Sequence, residues 1–192
     1  MAGTYPSTPE FKAVNLASNH SNLTSTTVSG KMFVRQLGGH RWSFTAEYNP
    51  MTREEFMPVY AFVVSQQGAA GTFTVTPPVL SSTSGDATGT FAVNGITSAG
   101  TNTVPTDGIT GTIKAGDMIK FANHTKVYMV TADRNGAGDM TIEPALVADV
   151  ADNEEITYTS VPFTMRLSNN VQSYSLNANE YFVYEVSMIE VL

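Results

Sequence analysis

From Arg41 to Tyr48 the chain alternates without a break. Trp42, Phe44, Ala46 and Tyr48 fall on one side of an extended chain, and Arg41, Ser43, Thr45 and Glu47 fall on the other. A period of two over this length predicts a half-buried antiparallel strand, with Trp42 and Phe44 as core anchors. The run before it, "KMFVRQLGG", is expected to be its hairpin partner, turned by Gly38-Gly39. A second alternating stretch is "GDMIKFANHTKVYMVTAD", residues 116–133. Met118 and Lys120 oppose Ile119 and Phe121; after Asn-His-Thr, Val127 and Met129 oppose Tyr128 and Val130. This predicts another hairpin, with His124 at an exposed tip about 20 Å of strand from Asp117.

In "PMTREEFMPVYAFVVSQQG" the period lengthens to that of a helix. Phe56, Val59, Tyr60 and Val63 follow the i, i+3, i+4, i+7 rule, so Phe56 and Tyr60 are expected to anchor the core. Thr52 and Glu55 form a capping box, Met51 and Phe56 occupy the staple positions, and Gly68 is expected to stop the helix. Pro58 lies inside this span and is expected to kink the helix or delay its regular start. Phe62 and Val64 add apolar surface away from the main stripe. A helix apolar on both sides is buried on both sides. Phe62, Val64 and Arg53 are therefore the candidate subunit-interface residues.

"GTFTVTPPV" reads as a strand closed by Pro77-Pro78, and from there to about residue 112 the chain is rich in Gly, Ser, Thr and Asp. Residues 85–156 hold ten acids against four bases, which accounts for −6 of the chain's net −7. The flanking pattern returns at "VPFTMRL" and "EYFVYEVSMIEVL". The expected architecture is mainly β: a sandwich core with one helix, formed by residues 1–84 and 157–192, and a small barrel inserted as residues 85–156. With charged residues at only 14% of 192, the surface must be covered by small polar side chains or by other protein. The acidic balance argues against a nucleic-acid binder working by counterion release. The absence of cysteine removes disulfides, thiolate zinc sites and cysteine nucleophiles. The start of the chain lacks the pattern of a signal peptide, and no apolar run reaches the about 18 residues of a membrane span. Membrane insertion is not expected.

Chemistry is sparse. His20, His40 and His124 are far apart, without partners at metal-ligand spacing. "DRNGAGD" resembles part of a calcium loop, yet its Asp133, Asn135 and Asp139 lack the closing Glu, and a hairpin turn accounts for Asn-Gly as well. No nucleophile elbow, phosphate loop or dinucleotide fingerprint occurs. No enzyme, cofactor or metal is expected.

The order of these elements resembles the distal tail proteins of long-tailed bacteriophages. The likeness is carried by "PEFKAVNLASN", "HRWSFTAEYNPMTREEFMPVYAFV", "KAGDMIKFANHTKVYMVTAD" and "YEVSMIEVL". It is nearest to the T-five-type siphophage members, whose β-sandwich carries an inserted oligonucleotide/oligosaccharide-binding-fold (OB-fold) barrel. The resemblance implies a virion structural protein forming a homohexameric ring at the tail tip or baseplate, with a channel for DNA. Implied partners are the tail tube protein, hub or tape-measure proteins, and collar or fibre proteins met through the barrel. Assembly in the bacterial host cytoplasm is implied, and sequence-specific nucleic-acid binding is not. A competing class is a receptor- or glycan-binding tail module reading through the barrel. That reading needs aromatics clustered in loops, whereas Phe91, Phe121, Tyr128 and Tyr158 occupy strand-like positions.

Overall fold

The computed structural model describes residues 3–192. The fold is mainly β with one α-helix. It begins with β1 (Gly3–Thr4), β2 (Phe11–Asn19), β3 (Asn22–Thr26), β4 (Met32–Gln36) and β5 (Arg41–Tyr48), then α1 (Arg53–Ser65) and β6 (Phe73–Val75). Next come β7 (Thr88–Val93), β8 (Thr103–Thr110), β9 (Thr112–Ile113), β10 (Met118–Phe121) and β11 (Val127–Val130). They are followed by β12 (Arg134–Asn135), β13 (Gly138–Glu143) and β14 (Ile156–Thr157). The chain returns through β15 (Phe163–Leu167), β16 (Ser175–Leu176), β17 (Phe182–Val183) and β18 (Glu185–Glu190). It divides into two compact units, one running to Phe73 and resuming at Met165, the other spanning Thr74–Thr164.

The first unit is organised by a six-stranded sheet in the order β1-β6-β15-β18-β5-β2. β5 lies between β18 and β2, and its alternation is realised: Trp42, Phe44, Ala46 and Tyr48 are buried on one face. Burying one such aromatic contributes about 1.5–3 kcal/mol. α1 adds Phe56, Val59 and Val63 to this core, with Phe56 stacked on Phe182 at 4.7 Å and edge-on to Tyr184 at 5.6 Å. Tyr60 is half-buried beside them, and its hydroxyl donates to the Gln172 carbonyl at 3.3 Å. At the helix start the Glu55 carboxylate accepts from the Thr52 backbone N–H and hydroxyl, both at 2.9 Å. Those bonds hold the Glu55 carboxyl below its usual range.

Two expectations for this unit need correction. β4 does not pair with β5; it pairs with β3, Thr24 opposite Val34, and β5 takes β2 instead. Gly38-Gly39 therefore do not turn that hairpin. The turn lies at residues 27–30, where Gly30 has φ of +81° and donates its N–H to the Thr27 carbonyl. Gly38 and Gly39, also at positive φ, carry the chain from the hairpin into β5. The helix end is the second difference. Gln67 takes the left-handed conformation with φ of 56°, and Gly68 opens a short 3-10 turn instead of supplying the stop. The helix starts regularly at Arg53, so Pro58, exposed within it, does not delay that start.

The second unit has its own six-stranded sheet, β14-β10-β11-β13-β8-β7. A bridge between Ala92 and Glu155 brings β7 towards β14, so the sheet is a nearly closed, barrel-like surface. Phe91, Val104, Ile119, Phe121, Tyr128, Val130 and Ile142 fill its interior. The second predicted hairpin is present in register, Met118 opposite Met129 and Lys120 opposite Val127. Among the described residues no helix is long and apolar enough to cross a membrane.

Candidate assembly surface

At 100° per residue, the buried stripe of α1 is flanked on one side by Tyr60 and on the other by Phe62. Phe62 is half-buried, edge-on to Tyr5 at 5.5 Å and to Phe73 at 5.6 Å. Its partners therefore lie within its own chain. Val64 and Arg53 share the opposite, solvent side, Val64 being 55% exposed. The structure does not bring the three residues onto one face. The outward apolar position of the helix is Val64.

The β3–β4 hairpin is an exposed apolar feature that periodicity did not single out. Every residue of β3 and β4 is exposed, including Leu23, Met32, Phe33 and Val34. The hairpin continues from the β2–β5 pair, with the Leu37 N–H bonded to the Ser21 carbonyl at 2.9 Å. A sequence signal for it existed: the Thr- and Ser-rich run 24–29 closing on Gly30, ahead of "MFV", is a turn followed by a strand.

Asp117 and His124 belong to the second unit, and His124 is not at the exposed tip expected of it. Asp117, just before β10, is buried. Its carboxylate accepts the hydroxyls of Thr83 and Ser84 and the backbone N–H groups of Ser84 and Lys114. Burial alone would raise its pKa, but these bonds outweigh burial and hold it below the usual carboxylate range. His124 folds back from the tip, stacked on Phe121 at 5.7 Å. The Tyr128 hydroxyl accepts the Val147 N–H at 3.1 Å and donates to His124 Nε2 at 2.7 Å. His124 Nδ1 is then the protonated nitrogen and faces the Asn123 amide oxygen. Burial, then the charge of Lys120, lower the His124 pKa. Such a neutral, hydrogen-bonded imidazole is a packing element. Asp117 is tied to a different set of partners, so the two form no catalytic pair.

Residues 79–161 match the family model described as distal tail protein pb9, B domain.

The match covers less than half of the chain and lies within the barrel-bearing unit. That stretch is similar to a domain of a phage distal tail protein. No curated protein matches the chain.

Within the matched stretch four further acids are loop fasteners. Asp86 accepts the Thr112 N–H, Asp133 that of Ala115, Asp149 that of Ala99 and Asp152 that of Gly95, at 2.7 to 2.9 Å. Acids expected from composition to give an acidic surface are thus in part spent on backbone donors that a Gly-rich chain leaves without strand partners. The barrel's Phe91, Phe121 and Tyr128 are buried, and Tyr158 packs against the same core with its hydroxyl on the Gly89 carbonyl. These aromatics offer no stacking platform.

Proposed function

We propose that this chain is a structural protein of a phage tail that closes into a homohexameric ring at the distal end, joining tail tube to hub or baseplate around a channel for DNA. The single observation that carries the reading is the match of residues 79–161 to a distal tail protein domain. Two features support it. The first unit presents large apolar side chains to solvent on the β3–β4 hairpin and, at Val64, on the outer side of α1. The second unit has a complete core of its own, as an OB-like barrel inserted in a ring-forming domain and directed outward would need.

In this reading the tube protein and the hub or tape-measure proteins meet the ring, and collar or fibre proteins meet the barrel. The role is mechanical; the protein is not an enzyme. It resides at the tail tip of the virion and is assembled in the host cytoplasm. Averaged electron microscopy of purified tails, with the protein labelled, tests this directly. Six copies around the axis at the distal end are expected. Label along the tube, on the head or on lateral fibres would overturn the reading.

A further inference from the structure

Two exposed features of the first unit lie at opposite ends of one strand, and each carries what the other lacks. One is the β3–β4 hairpin. Its register puts Leu23, Ser25, Phe33 and Arg35 on one face, and Lys31 lies over the Phe33 ring at 5.0 Å. Residues 20–37 contain no acid, so Lys31 and Arg35 make the segment +2 on a chain of −7. Leu23 is 58% exposed and Phe33 51%. A two-stranded ribbon with both faces in water is marginal by itself.

The other is a cleft of about 530 Å³, lined among others by Lys12, Glu47, Tyr174, Val183 and Glu185. Glu47 and Glu185 are direct cross-strand partners of β5 and β18, a like-charge pairing that destabilises a sheet. Lys12 stands 3.9 Å from Glu47, while Glu185 has no ion pair among the described residues. Tyr174 and Val183 give this cleft an exposed apolar wall.

We propose that the hairpin of one copy docks in the cleft of a second copy. Arg35 reaches the Glu47–Glu185 pair, and Leu23 and Phe33 cover Tyr174 and Val183. A guanidinium suits this place because it binds carboxylates through two parallel hydrogen bonds, at an interface that excludes water. The hairpin leaves the sheet where Asn19 pairs with Arg41, whereas Glu47 lies at the other end of β5, about 20 Å away. A chain therefore does not fill its own cleft. The contact is head-to-tail, the kind that closes into a ring when its rotation permits. The inference rests on the ring reading above and names its contact.

The chain has no cysteine, so single cysteines report cleanly. Ser25→Cys on the hairpin and Ser175→Cys at the cleft, mixed as full-length chains with a short bismaleimide, should give a crosslinked heterodimer that neither variant forms alone. Arg35→Glu and Glu185→Lys should each weaken self-association about ten-fold by analytical ultracentrifugation, and the two combined in one chain should restore it. Melting temperatures of Ser25→Cys, Ser175→Cys and Arg35→Glu should match the wild type, because these side chains are exposed, and that of Glu185→Lys should not fall, because it sets an opposite charge against Glu47. If the wild type self-associates while Arg35→Glu changes nothing and no crosslink forms, the contact is wrong and the ring reading stands on its own test. A wild type that stays monomeric at the highest attainable concentration also overturns the contact. The number of copies in the tail then judges the ring separately.

Discussion

Ser84 donates both its backbone N–H and its hydroxyl to one oxygen of Asp117, at 2.8 and 2.7 Å. The other oxygen takes the Lys114 N–H at 2.9 Å and the Thr83 hydroxyl. One carboxylate thus pins a segment more than thirty positions earlier to the start of β10.

Asp117→Ala leaves these donors facing a gap. The expected loss is about 3 kcal/mol of stability, measured by denaturant unfolding of the full chain. The sign with pH follows from the lowered pKa. The stabilisation is complete above the unfolded carboxyl value of about 3.9 and is lost as pH falls through the lower folded value. A loss under 0.5 kcal/mol would show that water replaces the carboxylate.

His124 is held neutral by burial and by the charge of Lys120, so its folded pKa lies below that of the unfolded chain. Stability from this group is whole above about pH 6.5 and declines as pH falls through the lower folded value. Melting curves should show this decline in the wild type and a weaker one in His124→Gln. Tyr128→Phe should cost about 1–3 kcal/mol at every pH, since it also strips the Val147 N–H of its acceptor.

Gly95 and Gly108 both sit at positive φ, +95° and +76°. A Cβ on Gly95 meets nothing within 4 Å, whereas one on Gly108 would lie 2.1 Å from the Thr90 carbonyl oxygen. Gly95→Ala should therefore cost about 1–2 kcal/mol of backbone strain alone. Gly108→Ala should cost clearly more, because β7 and β8 must separate. Equal melting temperatures for the two variants would contradict this.

Val64→Asp and Phe62→Asp should part company. Val64 is exposed, so its replacement should change folding stability by no more than about 0.5 kcal/mol while blocking ring closure if this side of α1 meets a neighbour. Phe62 packs on Tyr5 and Phe73, so Phe62→Asp should lower the melting temperature of the isolated chain. Copy counts in assembled tails together with melting curves separate the two effects. Normal incorporation of Val64→Asp would remove α1 from the interface.

The elements with unbroken periodicity were legible in the sequence. β5, the helical stripe of Phe56, Val59 and Val63, and the 118–130 hairpin all arise where side-chain spacing matches backbone geometry, which is a local property. Partners were not legible. "MFVRQ" suits pairing with β5 as well as with the Thr-rich run before it. Only the sheet, which gives both edges of β5 to β2 and β18, leaves β4 to β3. The charge step could not mark the uncharged runs 74–84 and 157–164, which the second compact unit includes. Phe62 and Val64 are equally apolar as letters; the position of Tyr5 and Phe73 decides that one is covered and the other is not. The burial of Asp117 was not legible because its donors Thr83 and Ser84 lie more than thirty positions away, and a carboxylate's environment is set by what the fold brings to it. Periodicity is written in neighbours along the chain, whereas pairing, burial and hydrogen-bond satisfaction depend on residues far apart in sequence, and these only the tertiary structure decided.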